Sequence, residues 1–272
     1  MIRVIVTGAS GRMGRMLVKA VDASEHTELV GATERPHSPL LGTDAGNLAG
    51  IGALGVDLVD DLSKCVEADV LIDFTAPEAC LQHAQFVADH KMKMVIGTTG
   101  FENKAIEKLH RILSNTSVVM AANYSIGVNL ALSLIQQAAQ VLGTDYDAEI
   151  YEAHHKHKVD APSGTALAMG RALAEGRQVP LDDVATYTRQ GIIGARKEGE
   201  IGFSVVRGGN IVGDHKAMFI ADEERIEISH VAQERLVFAI GAVRAAIWAV
   251  NQMNGWYDMQ DVLQLKASSL GA

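Results

Sequence analysis

The sequence predicts an α/β fold in which a parallel sheet covered by helices is followed by a second α+β domain built on a mixed sheet. In the first half of the chain, short apolar runs alternate with helical patterns. Continuously apolar strands in such alternation are typical of a parallel sheet with helices on both faces. In the second half several short strand patterns stand together, which indicates a mixed sheet.

The apolar runs of the first half predict strands at residues 3–7, 28–33, 70–74, 94–97 and 118–121. In the second half, the segment "DYDAEIYEAHH" alternates, and "IGFSVVRGG", "IVGDHKAMFIA" and "ERIEISHVA" are further strand patterns. The last helix, "RLVFAIGAVRAAIWAVNQM", is apolar on nearly every side, so we expect it to pack back on the first domain. The predicted domains are therefore residues 1–125 with 236–272, and residues 126–235.

Composition excludes several classes of protein. The formal net charge of -9 argues against a nucleic-acid partner, which would need a basic face. The apolar run "LVFAIGAVRAAIWAV" is broken by Arg244 and is shorter than the ~20 residues of a membrane span. The start "MIRVIVTG" has no signal-peptide pattern. With only Cys65 and Cys80 in 272 residues, a disulfide framework is not expected, and the prediction is a cytoplasmic protein without membrane or nucleic-acid partners.

A glycine-rich segment, "GASGRMG", follows the first predicted strand and opens a helix. Its glycines, Gly8, Gly11 and Gly14, would let the backbone approach a pyrophosphate held at the helix N-terminus. Ser10 stands where the strict G-x-G-x-x-G pattern has its middle glycine, and such a match also occurs at ordinary tight turns.

The context of this segment favours a dinucleotide. Glu34 ends the second predicted strand, 20 residues after Gly14, where an acidic side chain accepts hydrogen bonds from a ribose. Arg35 follows and could face a 2′-phosphate. The alternative is a solvated turn with two exposed charges. Because strand, glycine loop, helix, second strand and acid are all in register, we expect a Rossmann-like, dinucleotide-binding first domain.

Two further loops follow predicted strands, "GTTG" at residues 97–100 and "AANYS" at residues 121–125. Ligands bind outside the carboxyl ends of parallel strands, and small residues there would let a nicotinamide ring lie flat. Each loop could equally be an ordinary connection.

The segment "EAHHKHKVDAPSGTA" at residues 152–166 concentrates histidine and lysine in an acidic chain. On a strand, Glu152 and His154 would share one face and His155 would point to the other. A zinc site is disfavoured because neighbouring histidines diverge on a strand and no cysteine lies nearby, so no metal is predicted. A solvated basic turn remains possible. The favoured interpretation is a site for an anionic substrate.

The residue types in this segment suit proton transfer to an anion. Histidine can donate and recover a proton near neutral pH, and Lys158 could bind a carboxylate or donate a proton. Ser163, Gly164 and Thr165, after the helix-entry residue Pro162, would offer N–H groups and hydroxyls to a carboxylate. With the first domain, these features predict reduction of an anionic unsaturated substrate. They do not distinguish a keto acid from an imino acid.

The segment "EAHHKHKVDAPSGTA" closely resembles the signature of the dihydrodipicolinate reductase family, the 4-hydroxy-tetrahydrodipicolinate reductases of the diaminopimelate and lysine pathway. The resemblance extends over the chain through "GASGRMG", "DFTAPE", "VIGTTGF", "AANYSIGVN", "IVGDH" and "YDMQDVL". It implies hydride transfer from NADPH or NADH to a cyclic dicarboxylate, completed by protonation. It also implies a homotetramer assembled through the sheets of the second domain.

By the same resemblance, His154 matches the proton donor and Lys158 a second catalytic proton donor. The positions matched to substrate binding are His155, Gly164 and Thr165, with Ser163 placed beside them. The positions matched to cofactor binding are Gly8, Ala9, Ser10, Gly11, Arg12, Met13, Glu34, Arg35, Gly97, Thr98, Thr99, Ala121, Ala122, Asn123 and Tyr124. Some relatives carry an arginine for the 2′-phosphate in "DFT-x-P", where this chain has Ala76.

Two alternatives remain at this point. The first is another two-domain amino- or keto-acid dehydrogenase, which would need a different acid–base site. The second is a non-catalytic NADPH-sensing regulator, which would have no need of the basic cluster.

Overall fold

The computed structural model describes residues 1–65 and 67–266 of the chain. Its helices are α1 (Arg12–Asp22), α2 (Ala45–Ala49), α3 (Pro77–Asp89), α4 (Asn103–Ile112), α5 (Ile126–Leu142), α6 (Gly164–Gly176), α7 (Leu181–Val184), α8 (Leu236–Val250) and α9 (Met259–Val262). Its strands are β1 (Ile2–Thr7), β2 (Thr27–Thr33), β3 (Leu58–Val59), β4 (Val70–Asp73), β5 (Lys93–Ile96), β6 (Ser117–Met120), β7 (Asp147–His154), β8 (Ala185–Thr186), β9 (Ile201–Arg207), β10 (Gly213–Ile220), β11 (Arg225–Ala232) and β12 (Gly255–Tyr257).

The chain forms two compact units, residues 1–126 with the segment from Arg235 onwards, and residues 127–234. These boundaries lie one residue from the predicted ones. The last six residues of the predicted first domain, 267–272, lie outside the described residues.

The first unit contains a parallel sheet whose strand order, within the described chain, is β12-β6-β5-β4-β1-β2-β3. Side chains alternate between its two faces: Val4 and Val6 join a core with α1 and α8, whereas Ile5 joins a core with α3 and α4. Both faces are therefore covered, as continuously apolar strands require. The predicted Rossmann-like sheet is confirmed, and all five predicted strands are present.

Helix α8 belongs to this first unit, as its apolar surface predicted. Ala239, Ala242 and Ala246 are fully buried in the core that contains Leu17 of α1. Small residues let the helix lie close to the sheet: a Cβ added at Gly241 would stand 1.7 Å from the carbonyl oxygen of Tyr124.

The second unit contains a mixed sheet with the order β11-β10-β7-β9-β8 among its described strands. Strand β7 pairs antiparallel with β10 and parallel with β9. One face is apolar where Ala148, Ile150, Ala217 and Phe219 pack against α5 and α6. The predicted α+β unit with a mixed sheet is therefore confirmed.

Within residues 1–65 and 67–266, no helix is both long enough and apolar enough to cross a membrane. Cys65 and Cys80 are both free thiols.

Candidate active site

The glycine-rich turn after β1 is built by close backbone contacts. Gly8 has a φ of 62°, a conformation that favours glycine. A Cβ added at Gly14 would lie 2.1 Å from the Gly8 carbonyl oxygen, so α1 can begin directly against the turn only with glycine there. Gly11 is the N-cap of α1. The N–H groups of the first helical turn have no partner within the helix and are suited to a phosphate.

This turn lies at the switch point of the sheet, where β1 stands between β2 and β4. Dinucleotides bind at this place in open parallel sheets. A cavity of about 990 Å³ is found here. It is lined by Gly8, Ser10, Gly11, Thr33, Glu34, Arg35, Pro36, Ser38, Pro39, Leu40, Asp60, Asp61, Leu62, Phe74, Thr75, Ala76, Ala79, Gln82, His83 and Phe86.

Glu34 is held in place by the glycine-rich turn itself. The Ser10 hydroxyl donates a hydrogen bond to the Glu34 carboxylate. The backbone N–H of Arg35 donates to the other carboxylate oxygen at 2.9 Å, and the Arg35 side chain is exposed. The serine at the middle glycine position thus orients the acid that would bind the ribose. The cradle of glycines and the fixed acid fit a dinucleotide.

Several residues predicted for the cofactor do not line this cavity. Among the described residues lining the cavity, neither Ala9, Arg12 and Met13 nor the positions after β5 and β6 are found. Tyr124 is 1% exposed, and its hydroxyl donates to the carbonyls of Ile96 and Val119. Its side chain is therefore part of the core, and only its backbone could reach a ligand. Gly97, Thr98, Thr99, Ala121, Ala122 and Asn123 follow β5 and β6 at the carboxyl edge of the sheet.

A buried carboxylate at the end of β4 was not predicted. Asp73 is fully buried and accepts hydrogen bonds from the Thr98 hydroxyl at 2.5 Å and the Thr7 hydroxyl at 2.9 Å. Its oxygen also lies 2.5 Å from Nδ1 of His83, a residue that lines the cavity. Burial opposes ionisation, but the hydrogen bonds from His83, Thr98 and Thr75 outweigh it and lower the pKa of Asp73. Its sequence signal was an aspartate directly after an apolar strand.

In the second unit, the acid–base candidates lie on the face of β7 that is buried. Residues 148, 150, 152 and 154 share that face by the period of two, so the apolar positions lead into Glu152 and His154. Opposite Glu152 on β10 stands His215, and opposite His154 on β9 stands Arg207. All four side chains are thereby brought to one end of the sheet.

The carboxylate of Glu152 is the centre of this cluster. One oxygen lies 2.5 Å from Nδ1 of His154, and Arg207 donates one hydrogen bond of 2.8 Å to each of the two oxygens. The backbone N–H of Ser163 donates to the other oxygen at 2.9 Å. Burial opposes ionisation of Glu152, yet the hydrogen bonds from Arg207, His154 and Ser163 lower its pKa. Glu152 is therefore a buried anion with every lone-pair direction engaged.

The start of α6 is held by contacts of Ser163 inside the chain. Ser163 is the N-cap, and its hydroxyl accepts from the N–H of Ala166 and lies 3.1 Å from Nε2 of His215. With its own N–H bound to Glu152, both polar groups of this 2%-exposed residue are engaged inside the chain. The predicted role of Ser163 at a substrate carboxylate stays a prediction, and its contacts inside the chain fix the position of the helix start. Gly164 and Thr165 are the first two residues of α6.

Lys158 and His155 lie in the turn that follows β7. The Lys158 N–H donates to the His155 carbonyl at 3.1 Å. The Lys158 ammonium lies 2.9 Å from a carboxylate oxygen of Asp160, and that hydrogen bond lowers the pKa of Asp160. His155 is half-buried and lies outside the strand.

His215 is a neutral neighbour of the candidate acid. Its ring meets that of His154 edge to face, with 4.9 Å between centroids. Burial, with the charge of a protonated His154 as a second cause, lowers the pKa of His215 to about 4. Gly213, two residues before His215, leaves room for the acid, since a Cβ there would lie 3.1 Å from His154 Nε2. Among the described residues no group of three or more histidine, cysteine, aspartate or glutamate side chains is arranged to hold a metal ion.

A glycine-rich turn at the switch point of a parallel sheet, with an acid–base histidine cluster in a separate α+β unit, defines a nicotinamide-dependent oxidoreductase. Residues 2–124 match the family described as dihydrodipicolinate reductase, N-terminus, and residues 127–263 match its C-terminus. The chain belongs to the dihydrodipicolinate reductase family. Members of this family are reductases of the diaminopimelate and lysine pathway.

Individual relatives agree with this assignment. A 4-hydroxy-tetrahydrodipicolinate reductase of Psychrobacter arcticus is 53% identical over 266 residues, which is 97% of this chain and 96% of the relative. A dipicolinate-bound dihydrodipicolinate reductase from Paenisporosarcina sp. TG-14 has a TM-score of 0.75 at 24% identity, covering 96% of this chain and 98% of that one. An amine dehydrogenase from Mycobacterium smegmatis shares the fold at 15% identity, with a TM-score of 0.63 over 94% of each chain.

Proposed function

We propose that this chain reduces 4-hydroxy-tetrahydrodipicolinate to tetrahydrodipicolinate, with His154 as the proton donor and Lys158 assisting. Reduced nicotinamide supplies the hydride when it is bound at the switch point of the first unit. The substrate gains that hydride and one proton, and its 4-hydroxyl group leaves as water. The observation that carries the proposal is the hydrogen bond of His154 Nδ1 to the buried Glu152 carboxylate, which leaves Nε2 to donate the proton.

Substrate binding is assigned to the start of α6 and to the turn after β7. Gly164 and Thr165 would hold one carboxylate through helix-terminal N–H groups and a hydroxyl, and His155 would assist. Support for a dicarboxylate comes from the Paenisporosarcina relative, whose structure contains dipicolinate.

Cofactor choice depends on two neighbouring residues that act in opposite directions. The fixed carboxylate of Glu34 suits the ribose hydroxyls of NADH and repels a 2′-phosphate. The exposed guanidinium of Arg35 suits the 2′-phosphate of NADPH. Because Ala76 lines the cavity without offering a charge, Arg35 must counter Glu34 nearly alone. We infer that the enzyme uses both NADH and NADPH.

The enzyme is further proposed to be a cytoplasmic homotetramer assembled through the mixed sheet. Val205, Val206, Ile226 and Val231 on β9 and β11 are each between 38% and 62% exposed, which is unusual for apolar strand residues. Sedimentation equilibrium would test this, and a monomer at micromolar concentration would contradict it.

The test of the proposed acid is His154→Gln, with His157→Gln as the matched control. His157 is an exposed histidine of the same segment with no assigned role. We expect His154→Gln to lower kcat by on the order of a hundredfold and to leave the Kd of the cofactor nearly unchanged. The control should keep kcat within about twofold, because surface substitutions have small effects.

Rates are measured as oxidation of reduced cofactor with freshly prepared substrate, and cofactor Kd by fluorescence titration. An equal loss of cofactor binding in His154→Gln would make His154 a structural residue. A wild-type protein that binds cofactor and never oxidises it with this substrate would instead support one of the two alternatives considered from the sequence.

A further inference from the structure

The Glu152 carboxylate contacts two parts of the proposed site that have different roles, the proposed proton donor and the proposed substrate-binding helix start. Its Oε2 contacts the His154 ring, and its Oε1 contacts the N–H of Ser163, the N-cap of α6. The same 1%-exposed carboxylate thus touches both the proton donor and the start of the helix proposed to bind a substrate carboxylate. Arg207 closes the arrangement with one hydrogen bond to each oxygen.

The contact with His154 determines what the imidazole ring can do. A carboxylate accepts and cannot donate, so the ring nitrogen facing it must carry hydrogen. In the neutral ring, Nδ1 is then the protonated nitrogen and Nε2 has the free lone pair. When Nε2 takes up a proton, the resulting imidazolium is stabilised by the adjacent negative charge. His154 therefore donates and regains its proton through Nε2 alone.

The contact with Ser163 gives the helix start a fixed position. Because the Glu152 carboxylate and the Ser163 hydroxyl each bind a backbone N–H in the first turn, the N–H groups of the next two residues keep one direction. A 1 Å displacement between a catalytic group and its substrate can cost about 10²-fold in rate. Because one carboxylate holds both groups, the His154 ring and the helix start cannot shift independently of each other.

We propose that Glu152, held by Arg207, is the positioning residue of the reduction: it fixes the tautomer of His154 and the place of the helix start relative to it. This inference rests on the proposed function, since it takes His154 as the acid. Neither Glu152 nor Arg207 contacts substrate in this assignment.

The charged and titratable groups near His154 come from four strands and from the turn after β7. The groups that face it or its ring neighbour are Glu152 on β7, Arg207 on β9, His215 on β10, His230 on β11, and Lys158 with Asp160 in the following turn. Lys158 is paired with Asp160, and His215 is neutral above pH of about 4. Glu152 is therefore the anion in direct contact with the ring.

The test is Glu152→Gln, with Glu149→Gln as the matched control. Glu149 lies on the same strand and also pairs with arginine, through Arg189 and Arg196. In Glu152→Gln an amide N–H₂ must face either the ring or the Ser163 N–H, so the imidazolium loses either its acceptor or the negative charge beside it. We expect kcat to fall on the order of 10²-fold, and the alkaline limb of the kcat/KM profile to move to lower pH. The control should leave both within about twofold.

The Kd for NADH should be the same in wild type and both variants, because the cofactor cavity lies in the other unit. A Glu152→Gln enzyme with kcat within threefold of wild type would overturn the inference. So would a low kcat with an unmoved pH profile, which is the result of a merely structural role.

A second measurement on the wild-type protein covers a variant that does not fold. Long-range 1H–15N spectra report which nitrogen of a neutral histidine carries hydrogen, and His154→Gln assigns the signal. Nδ1–H for His154 supports the inference, and Nε2–H overturns it. If the wild type showed Nδ1–H but no reduction of the substrate, the proposed function would fail while the tautomer result stood on its own.

Discussion

Adding one methyl group at Gly213 should displace the imidazole ring of His154 and lower kcat without changing the chemical identity of His154. The Cβ of Gly213→Ala would lie 3.1 Å from Nε2 of His154 and 3.4 Å from Cε1 of His215. Ordinary contact begins at 3.4 Å, so Nε2 must retreat by about 0.3 Å, the difference between 3.4 and 3.1 Å. The ring cannot swing freely, because its opposite nitrogen is bonded to Glu152 at 2.5 Å.

The magnitude follows from the stiffness of this arrangement. Overpacking a close-fitted site costs ~1–3 kcal/mol, and a single methyl belongs at the lower end of that range. A displacement of 1 Å can cost about 10²-fold in rate, so on the same logarithmic scale a shift of about 0.3 Å should lower kcat roughly fourfold. Initial rates measure the fall in kcat, and urea unfolding of the same preparation measures the loss of stability.

Gly208→Ala is the matched control for this prediction. Gly208 follows β9, and no described atom stands within 4 Å of a Cβ built there. We expect kcat and the free energy of unfolding to match those of wild type. If Gly213→Ala behaved like its control, with full kcat and unchanged stability, the placement of His154 Nε2 above Gly213 would be wrong.

Three further predictions follow from the two units. Thr165→Val removes one hydroxyl from the proposed carboxylate site, which should cost ~1.5–3 kcal/mol and appear as a raised KM for substrate; an unmoved KM would take Thr165 out of the site. For the cofactor, kcat/KM for NADH and NADPH should agree within about tenfold, or ~1.4 kcal/mol, and Arg35→Ala should impair NADPH selectively, more so at low salt. A hundredfold preference in wild type, or equal loss for both cofactors in the variant, would contradict this. Because the pKa of His215 falls from 6.5 to about 4 on folding, the unfolded chain binds more protons between those values. Stability should be complete above pH of about 6.5 and decrease by up to about 3 kcal/mol as the pH falls towards 4. Urea unfolding of wild type and His215→Gln at both ends of this window would test it, and equal acid losses in the two would refute it.

The fold was predictable where elements are long or apolar enough to be determined locally. The strands at the centre of the parallel sheet are buried on both faces, so their sequences are continuous apolar runs. Strands β3, β8 and β12 were not predicted, because they have only two or three residues each. Such short strands owe their conformation to pairing with a neighbour, as β12 does with β6.

The candidate site likewise has a part that the sequence predicts locally and a part that depends on strand pairing. That Glu152 and His154 share a face follows from the period of two along one strand, and the structure has them in contact. Arg207 and His215 could not be placed from the sequence, because they lie more than 50 residues further on and reach the site only through strand register. Arg207 is the last residue of β9, and His215 stands between Asp214 and Lys216 in β10, so the sequence does not single out either position.

Ser163 shows a second limit of reasoning from residue type. A serine at a helix start can bind an anion or cap the helix, and the sequence "APSGTA" is compatible with both. In the structure the Ser163 hydroxyl caps α6 by accepting from the Ala166 N–H, and it also lies 3.1 Å from Nε2 of His215. The second contact could not be predicted from the sequence, because His215 lies 52 residues further on.

A buried anion beside a site for an anionic substrate would repel that substrate, and Arg207 neutralises its charge. Glu152 alone would repel a dicarboxylate and would be costly to bury. Paired with Arg207 through two hydrogen bonds, it contributes almost no net charge, so a protonated His154 leaves the cluster positive overall. The carboxylate can then orient the acid at short range without opposing the substrate at longer range. In the proposed site, Arg207 thus neutralises the carboxylate that orients His154.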